Sequence, residues 1–206
     1  MDKNRSFIHQ GFFVQYGLMG DMDMKWINLL EPDLVIDGSI LDLPLDSLLS
    51  NGLKGLVLDV DETVVPLKSD RVSPQMEAWI NRFRQSFSIW LVSNNLSQRR
   101  IGRIAGILNL PFIASAGKPS RRKIRQAMEA MGLPPEQIGI VGDRLFTDVL
   151  AGNRLGLYTI LVQPLSRFDD PPAQSYLQSF EIYVSQLLGA SVFTPKHSVA
   201  KFRKSP

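Results

Sequence analysis

Leu56-Val57-Leu58-Asp59-Val60-Asp61-Glu62-Thr63 is an apolar run that ends abruptly in two aspartates one residue apart, with a threonine just beyond. A short apolar run bounded by polar residues predicts a buried strand. Alternate residues of a strand point the same way, so Asp59 and Asp61 leave it on one side. Two carboxylates at the end of a buried strand are costly unless a cation or hydrogen bonds offset them. A magnesium site with a nucleophilic carboxylate supplies that offset. The plainer alternative is a strand end followed by an acidic turn.

Three later segments weigh against the plainer alternative. Ser88-Ile89-Trp90-Leu91-Val92 ends in Ser93-Asn94-Asn95. Phe112-Ile113-Ala114-Ser115 is followed by Gly117-Lys118-Pro119. Ile138-Gly139-Ile140-Val141 ends in Gly142-Asp143-Arg144, with Asp148 beyond. Each reads as a strand followed by a group suited to phosphate or metal. Helical patterns fall between them. Met76, Ile80, Phe83 and Phe87 follow Ser73-Pro74, Ile101, Ile104 and Leu108 form a second set, and Ile124, Met128 and Met131 precede Gly132. Such spacing makes these core residues. Strand and helix alternate from about residue 53 to 162, which predicts an α/β domain with a Rossmann-like, mostly parallel sheet flanked by helices. In such a sheet ligands sit outside the carboxyl ends of the strands, so the polar groups should gather around Asp59.

In their order and spacing these four motifs resemble those of the haloacid dehalogenase (HAD) superfamily of phosphotransferases, over roughly residues 53 to 163. Gly142-Asp143-Arg144-Leu145-Phe146-Thr147-Asp148 and Ala116-Gly117-Lys118-Pro119 look like those of the YqeG-type bacterial phosphatases. That family is similar to mitochondrial phosphatidylglycerophosphate phosphatases. Glu62 stands where relatives often carry Asn, a departure that should leave the reaction class unchanged.

The resemblance implies a role for each motif residue. Asp59 would attack phosphorus and form an aspartyl-phosphate. Asp61 would protonate the leaving oxygen and then activate water, while its backbone carbonyl binds magnesium. Asp59 and Asp143 would be the side-chain ligands of Mg2+. Ser93 would hydrogen-bond the phosphoryl group, with help from the amides near Asn94. Lys118 would offset negative charge, Asp148 would assist through water or by orienting Lys118, and Thr63 would be a supporting residue. Physically, an aspartate can approach a phosphate dianion only when its charge is masked, and magnesium and a lysine do that. Carboxylates close to Asp61 are expected to raise its proton affinity.

The 206 residues suit one globular domain with modest extensions, and the absence of cysteine excludes disulfides and thiolate metal sites. His9 and His197 are the only histidines, which argues against phosphohistidine or His-zinc chemistry. No segment approaches the roughly 20 apolar residues of a membrane span, and no signal-peptide pattern opens the chain. A cytoplasmic protein is expected, or one peripheral on the inner face of a membrane. The formal charge is only +3. Its placement matters more: Arg99, Arg100 and Arg103 follow the Ser93 motif, while Arg121, Arg122, Lys123 and Arg125 follow Lys118. Ser97 and Ser120 read as N-caps, so both groups open helices on the active-site side. Arg99, Arg100, Arg121, Arg122 and Arg144 are thus candidate substrate-binding residues in a basic collar; the bland alternative is a solvated face.

The expected organisation is an N-terminal extension (1–50), partly packed on the core, a catalytic core (51–168), and a C-terminal helix with a basic tail (169–206). The extension carries Phe12-Phe13-Val14-Gln15-Tyr16, an edge strand at 34–36 and a short helix at 45–49. Asp169-Asp170-Pro171-Pro172 should break the chain before a helix at about 176–188. The stretches from Thr63 to Ser93 and from Ser93 to Lys118 each hold one helix and one strand. Neither leaves room for a cap domain, as in the capless class IIIA members. An open site suits a phosphate carried on something large. With the resemblance, this favours phosphatidylglycerophosphate, an anionic phospholipid at a membrane surface. A soluble phosphometabolite or phosphoprotein is the alternative substrate, and a non-catalytic binding module the alternative class. Nucleic acid is disfavoured, since no aromatic platform accompanies the arginines.

Overall fold

The computed structural model describes residues 28–165. The aromatic patch at 12–16, both histidines, the helix expected at 176–188 and the basic tail lie outside the described residues. The described residues hold six strands: β1 (Leu34–Val35), β2 (Gly55–Leu58), β3 (Ser88–Val92), β4 (Phe112–Ile113), β5 (Ile138–Gly142) and β6 (Tyr158–Leu161). The helices are α1 (Leu45–Ser50), α2 (Pro74–Phe83), α3 (Gln98–Leu108), α4 (Arg122–Met131) and α5 (Leu150–Asn153), the last entered through a π-helical turn at Leu145–Val149. Every strand pair is parallel, in the order β1-β6-β5-β2-β3-β4.

Strand β2 is buried along its whole length because both faces are covered. Leu56 and Leu58 pack with Met76, Ile80, Phe83, Ile101 and Ile104 of α2 and α3. Val57 points the other way, into a cluster with Ile124, Ala127 and Met128 of α4. The period of two along the strand therefore divides one apolar run between two layers. Burying each large side chain of this kind contributes about 1.5–3 kcal/mol.

Helix α2 begins where Ser73 accepts a hydrogen bond from the Met76 amide at 3.1 Å, with Pro74 in the first turn. It ends before Phe87, which the spacing had placed on the same helical face. Phe87 instead follows the helix and packs its ring 5.9 Å from that of Phe83. Ser97 caps α3 through the Arg100 amide at 3.3 Å. Ser120 does not cap α4. Its amide closes a turn onto the Gly117 carbonyl at 2.9 Å, and Arg121 precedes the helix without a side-chain cap bond. The chain is still turning away from Lys118 at that point, so the helix starts later than the serine suggested. The run at Phe112–Ser115 is also shortened. Ser115 adopts φ 53° and donates its amide to the Asn95 carbonyl, leaving the sheet to wrap the loop after β3.

Strand β2 has β3 on one side and β5 on the other, with register pairs Leu58↔Leu91 and Leu58↔Val141. From β2 the chain builds outward through β3 and β4, then returns across α4 to add β5 and β6 on the far side, where β6 pairs with β1, which precedes β2 in the chain. The carboxyl end of β2 is thus the point where strand order reverses, where open parallel sheets leave a crevice. Between Thr63 and Ser93 the regular elements are α2 and β3, and between Ser93 and Lys118 they are α3 and β4. No cap domain interrupts either stretch.

Candidate active site

Asp59 follows β2 directly, and its amide continues the ladder onto the Val141 carbonyl at 2.9 Å. The chain then closes a tight turn in which the amides of Val64 and Val65 both bond the Val60 carbonyl. Glu62 sits in this turn at φ 64°, the left-handed region in which Asn is several-fold enriched. Here the buried Glu62 carboxylate accepts from the Leu67 amide and pins the loop over the crevice. Thr63 is fully buried, and its hydroxyl makes no hydrogen bond to a described residue.

A crevice of about 260 Å³ opens at this point, lined by Asp59, Asp61, Glu62, Leu67, Asn94, Lys118, Asp143, Arg144, Thr147 and Pro164. Lys118 is buried, and its Nζ donates to Asp59 Oδ1 at 2.6 Å and to Asp148 Oδ1 at 2.5 Å. Two loops hold it there. The Lys118 amide donates to Asn94 Oδ1 at 2.7 Å, and Asn94 Nδ2 returns a bond to the Lys118 carbonyl at 3.0 Å. Asn94 therefore clips the loop after β3 to the loop after β4. Gly117 turns the chain toward this clip at φ 66°.

Carboxylate oxygens of the buried residues Asp59, Asp143 and Asp148 all lie within 4.8 Å of one another. Gly142 permits this, because a Cβ there would stand 2.3 Å from Asp148 Cγ. Burial raises the proton affinity of Asp59 to a pKa of about 6; Lys118 pulls it back and Asp148 pushes it up. Asp143 is raised well above the ordinary carboxylate range, first by burial and then by Asp59 and Asp148. Burial alone would depress Lys118, but Asp148 and Asp59 outweigh it and hold the ammonium charged. Three carboxylates facing one ammonium leave excess negative charge in a water-poor site. A hard divalent cation with oxygen preference fits that donor set. The sequence reading had Asp148 only as a helper; the fold brings it within ligand reach of Asp59 and Asp143.

Asp61 stands apart from this cluster. Arg100 Nη1 donates to its Oδ1 at 2.6 Å, while Asn95 Nδ2 at 3.2 Å and Ser93 Oγ at 3.4 Å donate to its Oδ2. The carboxylates expected close to Asp61 gather beside Asp59 instead, because the turn after Val60 swings Asp61 toward α3. Ser93 is fully buried, and its hydroxyl also accepts the Asn95 amide at 3.0 Å. Asn95 was missed from sequence; its only signal was its place next to Asn94.

The basic collar divides three ways. Arg100 turns inward to Asp61, and Arg103 pairs with Asp70. Arg99 is exposed on α3, and Arg144 lines the crevice. Arg121 and Arg122 line a separate open groove of about 700 Å³ with Arg125 and Arg154, against the single carboxylate of Glu129. Arg121 bonds the Arg154 carbonyl and Arg154 bonds the Pro119 carbonyl, which joins the groove to the Lys118 loop.

A parallel sheet with a switch-point crevice, an aspartate at its base and a buried lysine beside three carboxylates define a phosphatase of the HAD type. The family described as mitochondrial PGP phosphatase matches residues 24–102, and the HAD-hydrolase-like family matches residues 115–164. "Probable phosphatase YqeG" of Bacillus subtilis is 34% identical over 125 residues, covering 60% of this chain and 72% of that protein. Phosphatidylglycerophosphate phosphatase 1, chloroplastic, of Chlamydomonas reinhardtii is 27% identical over 199 residues, covering 92% of this chain and 71% of that protein. Among solved structures, the cobalt-bound deoxy-D-mannose-octulosonate 8-phosphate phosphatase of Haemophilus influenzae is similar at TM-score 0.46 and 14% identity, over 66% of this chain and 91% of that one. The chain belongs to the YqeG-type phosphatases of the HAD superfamily.

Proposed function

We propose that the crevice is the active site of a magnesium-dependent phosphomonoester hydrolase acting through an aspartyl-phosphate, with phosphatidylglycerophosphate as its substrate. The observation that carries the chemistry is Asp59 at the switch point, 2.6 Å from Lys118 and within ligand reach of Asp143 and Asp148. Asp59, Asp143 and the Asp61 carbonyl would hold magnesium, which when bound masks the phosphate charge so that a carboxylate can approach.

In the first half-reaction an Asp59 oxygen attacks phosphorus and the bond from phosphorus to the alcohol oxygen breaks. A proton passes from Asp61 to that oxygen, and the alcohol leaves. In the second, Asp61 takes a proton from water, the water oxygen attacks phosphorus, and the Asp59–phosphorus bond breaks to release inorganic phosphate. Lys118 neutralises charge building on Asp59 and the phosphoryl oxygens, and Asp148 orients it. Ser93 and Asn94 support the loop whose amides meet the phosphoryl group.

The lipid substrate draws on three supports. Among the described residues no cap domain stands between the motifs to close over a small metabolite, so the site suits a phosphate presented by a large carrier. The arginine groove adjoins the Lys118 loop, and a basic residue near an anionic bilayer contributes about 1 kcal/mol. The Chlamydomonas relative is named for phosphatidylglycerophosphate. In this reading residues 51–168 are the catalytic core, and the enzyme works at a membrane surface. No helix among the described residues is long and apolar enough to cross a membrane.

The test is magnesium-dependent phosphate release from phosphatidylglycerophosphate in mixed micelles, beside a panel of soluble phosphomonoesters, with Asp59→Asn as the blank. Preference for the lipid is expected. Activity confined to soluble esters overturns the substrate and leaves the chemistry standing.

A further inference from the structure

We infer that Arg100 is a positioning residue for the reaction: it holds Asp61 in the orientation from which that carboxyl group gives up and takes back its proton. The inference rests on the role of Asp61 proposed above. Sequence placement on the basic collar had suggested that Arg100 meets the substrate. The fold spends all three of its nitrogens internally. Nη1 bonds Asp61 Oδ1 at 2.6 Å, while Nε at 2.9 Å and Nη2 at 2.5 Å both bond the Ser69 carbonyl.

Three features set this pair apart from an ordinary surface ion pair. The side chains are only 15% and 19% exposed, against 53% and 35% for the neighbouring Arg103–Asp70 pair. A cation in the first turn of α3 opposes the helix dipole, so helix stability does not account for it. The guanidinium also reaches two acceptors on different segments, a geometry a lysine ammonium does not reproduce. Arg100 thereby ties Asp61 to the loop that carries Leu67 over the crevice. Asn95 and Ser93 hold the other oxygen of Asp61 by longer bonds, so Oδ1 depends on Arg100.

A series of substituted phenyl phosphates tests this with the full chain in magnesium, without recourse to the lipid. Arg100→Ala and Asp61→Asn are compared. A good leaving group such as p-nitrophenolate needs no proton, whereas a poor one such as phenolate does. General acid–base assistance is worth about 10²–10⁴-fold. Arg100→Ala is therefore expected to lower kcat/KM about 10- to 100-fold on phenyl phosphate and less than about threefold on p-nitrophenyl phosphate. Water activation still needs Asp61, so kcat on the nitrophenyl ester should fall and an initial burst of nitrophenolate should appear. Arg100→Lys should recover part of the loss.

A structural role alone would lower kcat/KM equally across the series. That outcome, or wild-type kinetics, overturns the inference if Asp61→Asn still shows the leaving-group dependence. If Asp61→Asn shows none, the proton role of Asp61 itself fails, and the assignment of Arg100 falls with it.

Discussion

Asp59 and Asp61 are two residues apart and carry the same side chain, yet the fold gives them opposite company. Asp59 faces a crowd of carboxylates relieved by one buried ammonium. Asp61 faces donors only: a guanidinium, an amide and a hydroxyl. The strand delivers both to the same edge of the sheet, and the turn after Val60 then separates them. The Asp59 side is built from loops after β4 and β5, where anionic groups converge and invite a cation. The Asp61 side is built from α3 and the loop after β3, where each oxygen is held in place. One side is arranged for charge and the other for orientation. Two carboxylates in different environments are the usual means of dividing nucleophile from proton carrier.

The largest effect should come from removing the proposed nucleophile. Asp59→Asn is expected to reduce phosphatase turnover by about 10⁴-fold or more while the circular dichroism spectrum is retained. Turnover near wild type would show that the carboxylate-rich side is not where the bond to phosphorus forms.

Lys118→Met probes the same side through charge. Losing one preorganised positive donor should lower kcat by about 10²–10³-fold. It also strands Asp59 and Asp148 without their ammonium. Breaking a buried pair in this way destabilises by about 3–5 kcal/mol, so chemical denaturation in the absence of magnesium should show a lower midpoint. An unchanged midpoint would mean the cluster is better solvated than its burial indicates.

Magnesium itself sharpens the contrast. Asp59 and Asp143 bind protons more tightly folded than unfolded, so their contribution to metal-free stability is lost as pH rises, through about 6 for Asp59. Ligands must be deprotonated to bind a cation. The rise in Tm on adding magnesium should therefore be several degrees at pH 7.5 and much smaller at pH 5. Equal rises at both would exclude these two groups as the site of binding.

The smallest effect belongs to the donor side. Asn95→Ala removes one hydrogen bond of about 0.5–1.5 kcal/mol from Asp61 Oδ2 and leaves Arg100 on Oδ1. A few-fold loss in kcat is expected, below that of Arg100→Ala. A larger loss than Arg100→Ala would reverse the order of the two supports.

Much of this was legible along the chain because local chemistry had already settled it. Four apolar runs with polar ends predicted β2, β3, β4 and β5, and the alternating helical spacing predicted α2, α3 and α4. Ser73 and Ser97 cap their helices as their positions suggested, whereas Ser120 does not, since a cap depends on where the preceding turn closes. Arg100 shows the wider limit. Its neighbours Arg99 and Arg103 are the same residue on the same helix, but Arg99 is exposed and Arg103, one turn on, meets Asp70, so of the three only Arg100 reaches Asp61. Asn95 carried no signal of its own, because its use depends on which segment lies across from it.

The sequence by itself determined the parallel α/β order and the capless spacing and singled out Asp59, Lys118 and Asp143 as candidates, since strand ends, apolar periodicity and motif residues are local properties. Only the tertiary structure decided that Asp148 joins Asp59 and Asp143, and that Asp61 turns away to Arg100. Likewise only the fold showed Asn94 clipping the lysine loop and Arg121 and Arg122 opening onto a separate groove. Those outcomes depend on which loops the sheet order brings together at the end of β2, and contacts between segments far apart in the chain exist only once it has folded.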